Sequence, residues 1–137
     1  EVRQAVEVLE SSLLLRRQSR DKLGLAETLS ALGKAFAHIG YQLHAMDYFQ
    51  QALALCQEIG DREGEALCQR QLGKVHHLHG DHNEALAALD TSLALALRLD
   101  CVEGQAECHD AIADVHLDLG DSRLALVHLE EAVSLFS

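Results

Sequence analysis

Residues 60–99 read GDREGEALCQRQLGKVHHLHGDHNEALAALDTSLALALRL, and the landmarks of this stretch return 40 positions away on both sides. Gly64 has counterparts in Gly24 and Gly104, and Gly80 in Gly40 and Gly120. Ala66 matches Ala26 and Ala106, Ala85 matches Ala5, Ala45 and Ala125, and Leu95 matches Leu15, Leu55 and Leu135. A shared period of this size marks a stacked array of small units, each burying its apolar face against its neighbours. Such arrays expose long surfaces, so the pattern points to binding rather than to catalysis.

Each unit reads as two helices. Leu25, Leu29, Leu32, Phe36 and Ile39 recur at helical spacing. First helices are expected near 21–39, 61–79 and 101–119, and second helices near 43–59, 82–99 and 122–136. Gly40, Gly80 and Gly120 stand where a glycine ends a helix. Asp81 and Asp121 follow as cap residues, and Asp81 with Glu84 spells a capping box, as does Asp100 with Glu103. Gly64 and its counterparts lie inside helices, where glycine costs about 1 kcal/mol against alanine. Repeating that cost implies a close approach to the preceding second helix. Ala45, Ala52, Ala85, Ser92, Ala125 and Ala132 are expected to serve the same close packing.

The expected architecture is an all-α, right-handed superhelical solenoid of antiparallel helix pairs, seven helices in one array over 1–137. Residues 1–20 supply the second helix of a preceding repeat, followed by repeats at 21–60, 61–100 and 101–137. The chain opens Glu1-Val2-Arg3-Gln4, without an initiator Met or a signal-peptide layout, and is read as a piece of a longer protein. Its end helices are then expected to leave apolar residues uncovered: Val2, Val6 and Leu9 at one end, Leu126, Val133 and Phe136 at the other. Such patches favour self-association.

Composition narrows the function. The formal charge is −11, with no Pro, no Trp and 4% aromatics. Residues 100–137 hold nine acids and one base, Arg123. An acidic chain without a basic stripe is not expected to bind nucleic acid or anionic membranes. No apolar run is long enough for a transmembrane helix. Cys56, Cys68, Cys101 and Cys108 form no CxxC pair and read as small apolar residues inside helices. A reducing, cytoplasmic setting follows from that reading.

In this sequence Leu32-Gly33-x2-Phe36 is followed by Ala45-x3-Phe49 and Ala52. Leu72-Gly73-x2-His76 is followed by Ala85-x3-Leu89 and Ser92, and Ile112-Ala113-x2-His116 by Ala125-x3-Leu129 and Ala132. This resembles the tetratricopeptide repeat signature, W-x2-L-G-x2-Y then A-x3-F then A then P. The period of 40 replaces the usual 34, and Gly-Asp turns replace the terminal Pro. The long form, with its Gly60-to-Ala66 stretch, is similar to the LGN/Pins group of polarity scaffolds. The resemblance implies a superhelical groove that holds a peptide segment of a protein partner, with no enzyme activity and no cofactor.

The same resemblance implies that first helices line the groove. The matching positions are Glu27, Ser30, Lys34, Ala37 and His38, then Leu67, Arg70, Lys74, His77 and Leu78, then Glu107, Asp110, Asp114, Leu117 and Asp118. Spacings of three and four put each set on one face. Lys34, His38, Arg70, Lys74, His77, Asp110 and Asp114 are the candidate peptide-binding residues, with a basic middle and an acidic last third. Ser30 and Asp110 depart from the carboxylate clamp of chaperone-binding members, so a chaperone tail is not the expected ligand.

His76, His77, His79 and His82 crowd one turn, but His76 and His116 fill an aromatic repeat position and read as packing residues, so no metal is expected. His109 beside Cys108 and Asp110 has the residue types of a nucleophile pair, but adjacent helical residues point in different directions. No catalytic residue is assigned.

Overall fold

A computed structural model describes residues 2–19 and 21–137, with the side chains of 16–19 outside that description. Residues 1 and 20, the edges of the expected half repeat, therefore lie outside the described residues. Among the described residues seven helices run in order: α1 (Val2–Ser19), α2 (Lys22–His38), α3 (Gln42–Ile59), α4 (Arg62–His79), α5 (His82–Arg98), α6 (Val102–Asp118) and α7 (Ser122–Leu135). There is no strand among the described residues. The all-α superhelical architecture expected from the 40-residue period is the one observed.

The turns follow from local chemistry. Gly40, Gly80 and Gly120 hold φ of +89°, +93° and +82°, where an L side chain is strained, and each ends a first helix. The side chains of Asp21 and Asp61 accept from the amides of Gly24 and Gly64 at 2.9 and 3.1 Å, and Asp121 accepts from Leu124 at 3.2 Å. These bonds satisfy amides that the helix leaves unpaired.

Two caps differ from the sequence reading. Asp100 does not form a capping box. It takes the left-handed position that Gly60 fills one repeat earlier, with φ of +55°, the one non-glycine at positive φ among the described residues. Cys101 then becomes the cap, its Sγ accepting from Gly104 N at 3.3 Å. Cys101 is therefore exposed at a helix start and not inside a helix, unlike the buried Cys56, Cys68 and Cys108. Asp81 precedes α5 but makes no side-chain cap bond, because its carboxylate faces His76 instead.

Packing joins each second helix to the first helix of the next repeat. Phe49 and Met46 of α3 meet Leu72 and Val75 of α4, and Leu89 of α5 meets Ala111, Ile112 and Val115 of α6. The small residues are needed where helices close up. A Cβ on Gly64 would lie 2.7 Å from Cys56 Sγ on α3, and one on Gly104 would lie 3.3 Å from the Ala96 Cβ on α5. Ala45, Ala52, Ala85, Ser92, Ala125 and Ala132 are all buried. Ser92 is satisfied there, donating to Ala66 O at 2.7 Å and accepting from Cys108 Sγ at 3.3 Å.

Every helix contacts its neighbours in sequence. Beyond that, α2 touches α4 and α4 touches α6, whereas no contact links α3 with α5 or α5 with α7 among the described residues. First helices are thus drawn together on the inner side of the curve and second helices are spread on the outer side.

Candidate peptide-binding groove

Several of the candidate residues border hollows between the first helices. Between α4 and α6 lies a hollow of about 390 Å³, bounded by Lys74, His77, Leu78, Glu107, Asp110 and Asp114, with Leu89 and Ala111 also against it. Four of the seven candidates, Lys74, His77, Asp110 and Asp114, therefore meet in one place. Leu89 comes from a second helix and was not among the groove positions. It reaches this hollow because Gly73 lacks the Cβ that would lie 2.6 Å from its Cγ.

The other candidates stand elsewhere. Lys34 borders a separate hollow of about 250 Å³ between α2 and α4, with Glu27, Ser30 and Leu67. Arg70 borders a third, of about 270 Å³, beside Leu67, Ser92 and Leu99. His38, the last residue of α2, is exposed and is not part of either hollow between the first helices.

The charges are not separated as the sequence suggested. Arg70 pairs with Glu107 at 2.8 Å, and His77 Nε2 contacts Asp118 Oδ2. The basic middle repeat and the acidic last repeat thus neutralise one another across the α4–α6 seam. A linear sequence separates these partners by 37 and 41 residues, so their pairing could not be read from it. Lys74, Asp110 and Asp114 belong to no ion pair among the described residues and remain available around the larger hollow.

Histidine rings meet at two places. His77 lies against His82, with ring centroids 5.6 Å apart. In the last repeat His109 Nδ1 and His128 Nδ1 are 2.9 Å apart, and His116 stacks on His128. Burial first, then the neighbouring His109 and His116, push the His128 pKa below its ordinary value. Burial also raises the thiols of Cys56, to about 12, and of Cys68 and Cys108, so these sulfurs stay protonated and are poor nucleophiles.

The comparisons agree with this architecture. Residues 45–98 match a family model described as tetratricopeptide repeat. Comparison with curated protein sequences gives no significant match. Among solved structures, the fold is similar to BtubC (BKLC) from P. vanneervenii, with a TM-score of 0.88 and 18% identity over 98% of this chain and 56% of that one. It is similar to the TPR domain of Arabidopsis FLU, with a TM-score of 0.76 and 27% identity over 84% of this chain and 94% of that domain. A third is the Podosopora anserina putative kinesin light chain with nearly identical TPR-like repeats, at a TM-score of 0.81 and 20% identity over 98% and 66%. The chain spans 56% of BtubC and 66% of the kinesin light chain structure, less than two thirds of either. The described residues fold as a tetratricopeptide-like superhelix, and within it residues 45–98 match the tetratricopeptide repeat model.

Proposed function

We propose that the chain is a protein–protein interaction module that holds a peptide segment of a partner on its inner face. Tetratricopeptide repeat domains are in general such modules. The observation that carries this reading is the hollow between α4 and α6, where Lys74, Asp110 and Asp114 surround an apolar floor of Leu89 and Ala111 beside the exposed Leu78. Unpaired charges around an apolar floor suit a peptide that inserts an apolar side chain and presents a basic group to Asp110 and Asp114. On this reading Lys34, His38, Arg70 and His77 flank the path of the peptide, and residues 1–137 act as one array. The long repeat favours a cytoplasmic scaffold similar to the LGN/Pins group.

Selection from a displayed peptide library tests the proposal. Selected peptides should bind the native chain and lose at least about tenfold, one charge-assisted bond, against Asp110→Lys/Asp114→Lys with helicity unchanged. Equal binding to native and reversed chains would move the site off this face.

A second reading has its own observation. Leu126, Leu129, Val133 and Phe136 are exposed along α7, and Leu126, Leu129 and Val133 bound a hollow of about 380 Å³. On α1 the exposed large apolar residues are Val8, Leu14 and Leu15, whereas Val2, Val6 and Leu9, expected to be bare, are half-buried on a helix that packs against α2. These faces suit a spacer or self-association role within a larger scaffold.

A further inference from the structure

The turn between α4 and α5 brings together three side chains that the groove does not use. His76 Nδ1 lies 3.8 Å from Asp81 Oδ2 and 3.6 Å from Glu84 Oε2, and the three ligand atoms fall within 4.8 Å of one another. The His76 side chain is 14% exposed, and its Nδ1 is shielded from solvent without a hydrogen-bond partner. Both distances are too long for hydrogen bonds. They are close to the separation of about 3.4 Å between neighbouring ligands of a tetrahedral ion held at roughly 2.1 Å.

The repeat itself supplies an internal comparison. The matching positions of the first repeat are Phe36, Tyr41 and His44, and these also meet: Phe36 lies 6.1 Å from Tyr41 and 5.4 Å from His44 between ring centroids. The fold therefore brings these three positions together whatever occupies them. In the first repeat they form an aromatic stack. In the second they are an imidazole and two carboxylates. In the third they are His116, Asp121 and Leu124, and Asp121 is occupied in capping α7. Asp81 alone of the four aspartates that precede helices leaves its helix uncapped and faces an imidazole. His76 thus has a role beyond the packing that its repeat position suggested.

We propose that His76, Asp81 and Glu84 form a binding site for a divalent transition-metal ion of the zinc type, closed across the α4–α5 turn. His76 would ligate through Nδ1, and the two carboxylates would offset the charge of the ion, leaving a fourth position for water. Asp81 and Glu84 gain the counter-ion that two neighbouring carboxylates lack. Because the ligands come from the end of α4, the turn and the first turn of α5, binding ties one helix pair together and leaves the groove open.

Titration of the full chain with zinc and with cobalt(II) tests this, alongside His76→Phe, which copies Phe36, and Glu84→Gln. The expected result is one ion per chain, a raised unfolding midpoint with zinc, and a visible cobalt d–d spectrum. Both variants should keep native circular dichroism and bind more than about tenfold more weakly. Imidazole nitrogen NMR should show His76 Nδ1 shifting on zinc addition. No binding at neutral pH would overturn the proposal. So would binding that survives in both variants, which would place the ion on other histidines.

Discussion

Gly73→Ala should destabilise the chain although alanine is the better helix former. The substitution gains about 1 kcal/mol of helix propensity. Against this, the new Cβ would lie 2.6 Å from Leu89 Cγ, 2.9 Å from Leu89 Cδ2 and 3.1 Å from the Ala85 carbonyl oxygen. Leu89 is fully buried, and the carbonyl belongs to helix backbone, so neither can swing aside. Overpacking of this kind costs about 1–3 kcal/mol, and two contacts under 3 Å place it in the upper half. The net loss is then about 1–2 kcal/mol. Leu89→Ala alone should cost about 2–5 kcal/mol through the cavity it opens. Combining the two removes the clash and lets the new methyl occupy part of that cavity. In the Leu89→Ala background Gly73→Ala should therefore be neutral or stabilising, which gives a coupling of about 2 kcal/mol. Urea unfolding of the four proteins, followed by circular dichroism with m-values compared, measures the cycle. Additive losses would refute the close-approach account of the glycine.

Three further outcomes are expected. Cys101 should react rapidly with a thiol reagent at neutral pH while Cys56, Cys68 and Cys108 stay protected until unfolding, a contrast that mass spectrometry of labelled peptides resolves. Burial and the facing His109 and His116 lower the His128 pKa beneath 6.5, with Asp90 and Glu131 opposing. The folded state thus binds fewer protons than the unfolded one, so the stability from neutral His128 is present above pH 6.5 and lost as pH falls through the lowered value; unfolding midpoints across that range should decline less for His128→Gln, and parallel declines would count against it. Val133→Glu with Phe136→Glu should shift any concentration-dependent dimer toward monomer in analytical ultracentrifugation, since both side chains are exposed on the α7 face.

Most of the fold was legible because it is written several times. One repeat leaves Gly80 ambiguous, but Gly40, Gly80 and Gly120 in register define a turn, and all three hold positive φ. The departures lie where a repeat breaks its own pattern. Asp100 replaces a glycine and still adopts the left-handed turn, which moves the cap to Cys101. Asp81 has the residue type of a cap, yet the fold turns it toward His76 across the loop. The charge pairing between the middle and last repeats was not legible. Helical spacing places Arg70 and Glu107 on facing helices, and only the superhelical rise that brings α4 against α6 decides that they pair.

Backbone amide NMR of the chain titrated with a library-selected peptide tests most directly whether the α4–α6 hollow holds a peptide. Perturbed amides should gather on α4 and α6 around Lys74, Leu78, Asp110 and Asp114, and Asp110→Lys/Asp114→Lys should abolish the shifts. Perturbations confined to the outer helices α3, α5 and α7, and insensitive to that reversal, would contradict it.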